Sequence, residues 1–134
     1  MSGRIRYIAV LAAQIALVPA LAGAFTAQNQ MQVQQAGTTD IVVQFVSQAD
    51  DTDYWCAAGD YAVRAMGASS GSRLYRATPK PRGQGQGITF TLDPNRAAAG
   101  AGVASFGAGG GDGSMAVGQA VGSYCRPFPY RERN

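Results

Sequence analysis

A chain of 134 residues with 11 basic side chains, 8 acidic ones and no histidine is narrowly bounded in its chemistry. Without imidazole it holds no Ser-His or Cys-His nucleophile pair, no histidine zinc site, and no general acid or base of the commonest kind near neutral pH. Arg4 and Arg6 stand in the first apolar segment and the remainder is close to neutral, so charge gives no reason to expect a nucleic-acid partner.

After Arg4 and Arg6 the run from Tyr7 to Leu21 is apolar apart from Gln14 and Pro19, and Ala22-Gly23-Ala24 follows. A basic start, an apolar middle and small residues that fit a signal peptidase's narrow pockets make up a secretory signal. Residues 1–24 are therefore expected to be a signal peptide, cleaved between Ala24 and Phe25. No cysteine stands near this point, which argues against a lipid-modified N-terminus. The alternative is an uncleaved anchor helix. Gln14 and Pro19 speak against it, because they interrupt a run already short for about 30 Å of hydrocarbon.

Residues 25–134 suit one domain, of a size that gains from a covalent staple. Cys56 and Cys125 are the only cysteines. In an oxidising compartment such a pair is expected to form a disulfide, and the chain-entropy model assigns so long a loop roughly 4 kcal/mol. A redox-active pair usually has Cys-x-x-Cys spacing near a helix start, and these two lie far apart.

Residues 25–39 are rich in glutamine without a sustained period and read as a flexible arm. Asp40 to Ser47 is dense in β-branched and aromatic residues and predicts a strand. Ile41, Val43 and Phe45 share one face, Val42, Gln44 and Val46 the other, so both faces are expected to be covered. Asp50, Asp51 and Asp53 then open a helix, where short acidic side chains accept from free N–H groups and suit the positive dipole end. Trp55, Ala58, Ala62, Ala65 and Met66 trace one helical face, with Arg64 near the end and Gly67 as the stop. Gly59 costs about 1 kcal/mol relative to alanine inside that helix and points to a close neighbour.

Arg73 to Thr78 and Ile88 to Leu92 predict an antiparallel hairpin, with Pro79 to Gly87 as a long tip and Ile88, Phe90 and Leu92 facing in. Residues 97–113 are almost entirely alanine and glycine. They read as a loop, with a helix over Arg96 to Ala104 as the alternative. Met115 to Tyr124 is expected to be a closing strand. Its small residues Ala116, Gly118, Ala120 and Gly122 would pack on the helix carrying Trp55 and Gly59, which brings Cys125 near Cys56. Residues 129–134 are expected to be an extended tail. The expected fold is α+β over residues 40–128: a small antiparallel sheet of about four strands with one main helix packed on it.

Two segments, YWCAAGDYA from Tyr54 and GQGITFTLDP ending at Pro94, resemble a group of short, signal-bearing exported proteins of alphaproteobacteria that carry no assigned function. The resemblance spans Tyr54 to Pro94. It implies export from a bacterium of that class and supplies no catalytic or binding residue.

Asp50, Asp51, Asp53 and Asp60 form the acidic cluster. Its spacing fails the EF-hand pattern, because Trp55 falls on a ligand position and no later glutamate follows, so capping is the preferred reading over calcium. A pair of aspartates for glycoside cleavage would need a cleft and one raised pKa, neither of which the sequence shows. Lys80, between Pro79 and Pro81, sits in a polar loop, and a serine-activating lysine needs burial. Gly111 to Ala116 fits the loose G-x-G-x-x-A pattern but precedes a strand, so no nucleotide is expected. A single imperfect glycine-aspartate repeat builds no calcium β-roll. No cofactor and no metal are expected.

The charge layout remains. Asp40 to Asp60 holds five aspartates and no basic residue, and Arg64 to Arg82 holds five basic residues and no acidic one. Arg73, Arg76, Lys80 and Arg82 therefore mark a candidate anion-binding hairpin tip, suited to an anionic envelope polymer or lipid headgroup by charge and bidentate hydrogen bonds. The plain alternative is that these are solvated ends of a helix and a hairpin. The expectation is a small, non-enzymatic, periplasmic or extracellular protein of a Gram-negative envelope. A membrane-anchored accessory subunit and an enzyme running on aspartates or arginines are the other classes.

Overall fold

The computed structural model describes residues 24–99 and 113–125. The apolar segment 1–23, the alanine- and glycine-rich stretch 100–112 and the tail with residues 126–134 lie outside the described residues. Six strands form one antiparallel sheet: β1 (Phe25–Thr26), β2 (Gln32–Ala36), β3 (Asp40–Val43), β4 (Arg73–Arg76), β5 (Ile88–Thr91) and β6 (Ser114–Ala116). Their order across the sheet is β1-β2-β3-β5-β4-β6. Helix α1 (Asp51–Arg64) follows β3, and the shorter α2 (Val117–Tyr124) follows β6. The fold is α+β.

The hairpin pairs as the hydrophobic alternation requires, with Arg76 opposite Phe90 and Tyr75 opposite Thr91. A one-residue slip would turn Ile88 and Phe90 out of the core. Both are fully buried, and Trp55 of α1 meets Phe90 edge-on with ring centroids 4.8 Å apart. Around this contact Tyr54, Ala57, Ala58 and Ala62 of α1 join Ile41, Val43, Leu74 and Met115 of the sheet in a single core. The helix begins where acidic residues were expected to cap it: Asp50 is the N-cap, and its N–H donates to the Asp53 carboxylate at 3.0 Å. It ends at Arg64, with Gly67 in the left-handed region at φ 66°.

Three expectations need correction. The segment 25–39, read as a flexible arm, supplies β1 and β2. Its glutamines hid the pattern: Val33 and Met31 are buried while Gln32 and Gln34 face out, and the backbone ladder to β3, from Val33 opposite Val43 to Ala36 opposite Asp40, holds it. The first strand of the core is also shorter than Asp40 to Ser47. It stops at Val43, and Phe45 beyond it is 42% exposed.

The third correction concerns Met115 to Tyr124, which is not one strand but β6 running directly into α2. Val117 and Val121, Ala116 and Ala120, and Gly118 and Gly122 each recur at four residues, a spacing compatible with both a two-residue and a 3.6-residue period. The segment does meet α1, but as a helix and through Ala120 with Val117 and Val121 at Gly59; of the other small residues, Gly118 lies against Ser70 and Gly122 faces open space. A Cβ added at Gly59 would lie 3.0 Å from Cβ of Ala120 and 3.2 Å from Cγ2 of Val121, so the absent side chain lets α1 and α2 approach. At this crossing Cys56 and Cys125 form a disulfide, with Cα atoms 4.9 Å apart. The described start of the alanine-rich stretch is not α-helical; the N–H of Ala98 donates to the Arg76 carbonyl at 2.9 Å.

Two carboxylates tie distant segments to this frame. Asp60 accepts from Nε of Arg64 at 2.7 Å and from the N–H of Gln28 at 2.9 Å, joining α1 to the turn after β1. Asp40 accepts from Nε of Arg96 at 2.9 Å. The Arg96 hydrogen bond holds the Asp40 carboxyl below its ordinary 3.8, against a smaller opposing effect of burial. At Asp60 burial pushes upward, and the bonds from Arg64 and Gln28 outweigh it and leave the carboxyl below 3.8. A carboxyl depressed on folding contributes stability above its unfolded pKa and loses it as pH falls through the folded one. The thermal midpoint is therefore expected to hold level on acidification to the ordinary value of 3.8 and to drop below it. In the Asp40→Asn/Asp60→Asn variant, melted over the same pH series, that drop should be shallower.

Candidate functional site

Alternation in β4 sends Leu74 and Arg76 toward the helices and Arg73 and Tyr75 to the other face. Arg76 thus enters the protein at the end of the sheet where α1 begins, and it is only 1% exposed. A buried guanidinium is costly unless paired and hydrogen-bonded. Here Nε donates to the Thr78 carbonyl at 2.8 Å, and Nη1 donates to Oδ2 of Asp51 at 3.1 Å. Asp51 keeps its side chain 45% exposed, so the pair spans from the interior to the rim.

The tip then folds back over α1. The hairpin is fastened at its neck by the N–H of Thr89 donating to Oγ1 of Thr78 at 2.8 Å, and the Lys80–Pro81 peptide is cis. Arg82 returns to lie over the ring of Tyr54, its guanidinium carbon 4.6 Å from the centroid, and 5.7 Å from that of Phe45. The Tyr54 ring is tethered at its hydroxyl, which accepts from the N–H of Val46 at 3.1 Å. Stacking of this kind favours arginine and fixes its plane. Nη1 of Arg82 is screened from solvent and has no hydrogen-bond partner among the described residues.

Asp51, Arg76, Lys80, Pro81 and Arg82 together line an open cleft of about 530 Å³. Three cations and one carboxylate give it a positive balance, and Arg76 and Arg82 are the rigid members. Of the four basic residues singled out from the sequence, the fold brings Arg76, Lys80 and Arg82 together. Arg73 lies elsewhere: its Nε and Nη2 donate to Oγ of Ser114 at 3.0 and 2.7 Å. Arg76 also differs from an exposed tip residue, because the inward side of β4 buries it. Sequence reasoning missed Asp51, Tyr54 and Phe45 as parts of this place. Asp51 carried a signal, an acidic residue at a helix start, that capping explained by itself.

The acidic cluster divides in the fold. Asp50, Asp51 and Asp53 stand at the start of α1, and Asp60 faces Gln28 and Arg64 at the other end. Among the described residues no helix is long and apolar enough to cross a membrane. Comparison with protein-family models, with curated proteins and with solved structures finds no match.

Proposed function

We propose that this chain is a small exported, non-enzymatic binding protein of a bacterial envelope, which holds an anionic group of an envelope component in the cleft between the hairpin tip and the start of α1. The observation that carries the reading is Arg82: a guanidinium stacked on Tyr54 and lining an open cleft with two further cations, Arg76 and Lys80. An arginine held by stacking presents its guanidinium N–H donors in a fixed fork, and an oxyanion in the cleft matches that fork in bidentate form. Export is supported by the signal pattern ending at Ala24 and by the Cys56–Cys125 disulfide, a bond at home in oxidising compartments.

The test spares Arg76, whose burial makes it part of the fold. Binding of the parent chain to lipopolysaccharide, peptidoglycan and anionic lipid vesicles is measured at low and at high salt beside a Lys80→Ser/Arg82→Ser variant. Affinity for at least one of them should fall as salt screens the charges over about 10 Å at 0.1 M. The variant should bind that component at least tenfold more weakly, with a near-parental melting temperature. A parent that binds none at low salt, or a variant that binds as the parent does, overturns the proposal.

A further inference from the structure

The cleft is not purely basic, and Asp51 in its lining and Phe45 against Arg82 carry information about what occupies it. Asp51 stands in the lining with 45% of its side chain exposed while one of its oxygens holds Arg76. A carboxylate has acceptor sites to spare beyond that one bond, and in this position they suit a hydroxyl group. It also repels a second negative charge, so a densely anionic surface fits poorly. Phe45 flanks Arg82 with 42% of its surface in solvent. Arg82 lies over its ring at 5.7 Å, and the part left in solvent is apolar surface on which the C–H groups of a ligand can pack.

We infer that the ligand is an acidic sugar unit: a pyranose bearing one oxyanion. The oxyanion lies on Arg82, a ring hydroxyl donates to Asp51, and the apolar face of the ring rests against Phe45. This rests on the anion-binding reading of the cleft and narrows it from any anion to an anionic saccharide. A lipid headgroup on a membrane surface is the competing occupant. It is disfavoured by Asp51 in the lining and by the burial of Arg76, since attraction to an anionic bilayer works through exposed cations. The oxyanion on the sugar is either a carboxylate or a phosphate, which share the acceptor chemistry that a guanidinium fork recognises.

The experiment is an NMR titration of the full mature chain, disulfide intact. The probes are glucuronic acid, glucose 6-phosphate, glucose, acetate, inorganic phosphate and vesicles with anionic lipid. At least one acidic sugar should bind tenfold or more tightly than glucose and than its own simple anion, and the stronger of the two identifies the oxyanion. Arg82→Met, which keeps an apolar stem on Tyr54, should lower affinity for that sugar at least tenfold. Phe45→Ala, at a half-exposed position outside the buried core, should weaken binding of the sugar by a larger factor than binding of its simple anion and so reduce the preference between them. An equal loss for both would assign Phe45 only to holding Arg82 and overturn the saccharide inference. If the acidic sugars bind no better than acetate and phosphate, the saccharide inference fails while the anion reading stands. If none of the anions binds, both fail. Binding to vesicles alone assigns the cleft to lipid and overturns the inference.

Discussion

Replacing Cys56 with serine is expected to destabilise the chain by about 2–5 kcal/mol, the range for native disulfides in small secreted domains. The bond joins α1 to α2 across a sequence separation of 69 residues. Its loss returns to the unfolded chain the freedom of a loop that includes β4, β5 and β6. Cys125→Ser should cost about the same, and the double variant little more than either single one, because one bond is removed in every case. Urea unfolding with and without reductant checks this: reductant should lower the midpoint of the parent and leave that of the double variant in place. Neither thiol of the native protein should react with iodoacetamide before reduction.

Trp55→Ala is expected to cost about 3–5 kcal/mol, a loss typical of large aromatic residues truncated in a core. Trp55 is 1% exposed and lies edge-on to Phe90, at the contact through which α1 covers the centre of the sheet. The next residues on its face of the helix are Ala58, Gly59 and Ala62, whose side chains are too short to fill the space. Against a total stability of about 5–15 kcal/mol for a domain, this single change leaves little margin. Chemical denaturation monitored by far-UV circular dichroism measures it. A loss below 1 kcal/mol would mean that the helix does not depend on this contact.

Much of this architecture is legible in the sequence where side chains carry the pattern. Helix α1 announces itself through Asp50 to Asp53 and the face led by Trp55, and the hairpin through the alternation of Ile88, Phe90 and the proline- and glycine-rich tip. Strands β1 and β2 do not, because their register is set by backbone pairing, β1 on β2 and β2 on β3, and only Val33 among their central residues faces the core. Helix α2 is hidden for a different reason: a four-residue recurrence of small residues satisfies two periods equally. Of the cleft, the charge layout singled out Arg76, Lys80 and Arg82 but treated all of them as exposed. That Arg76 turns inward follows from strand alternation, and its partner Asp51 lies 25 residues away, a tertiary proximity no local pattern encodes.

The position of the disulfide also decides how the chain responds to being cut. The hairpin tip lies between Cys56 and Cys125 and is exposed from Pro79 to Gln86 except at Arg82, the kind of segment proteases nick. A single cut there yields no fragment, since both pieces remain in one covalent molecule and part only on reduction. A cut between Val43 and Asp51 is different: it frees β1, β2 and β3, which are then retained by hydrogen bonds and packing alone. The same nick is silent on one side of Cys56 and divisive on the other.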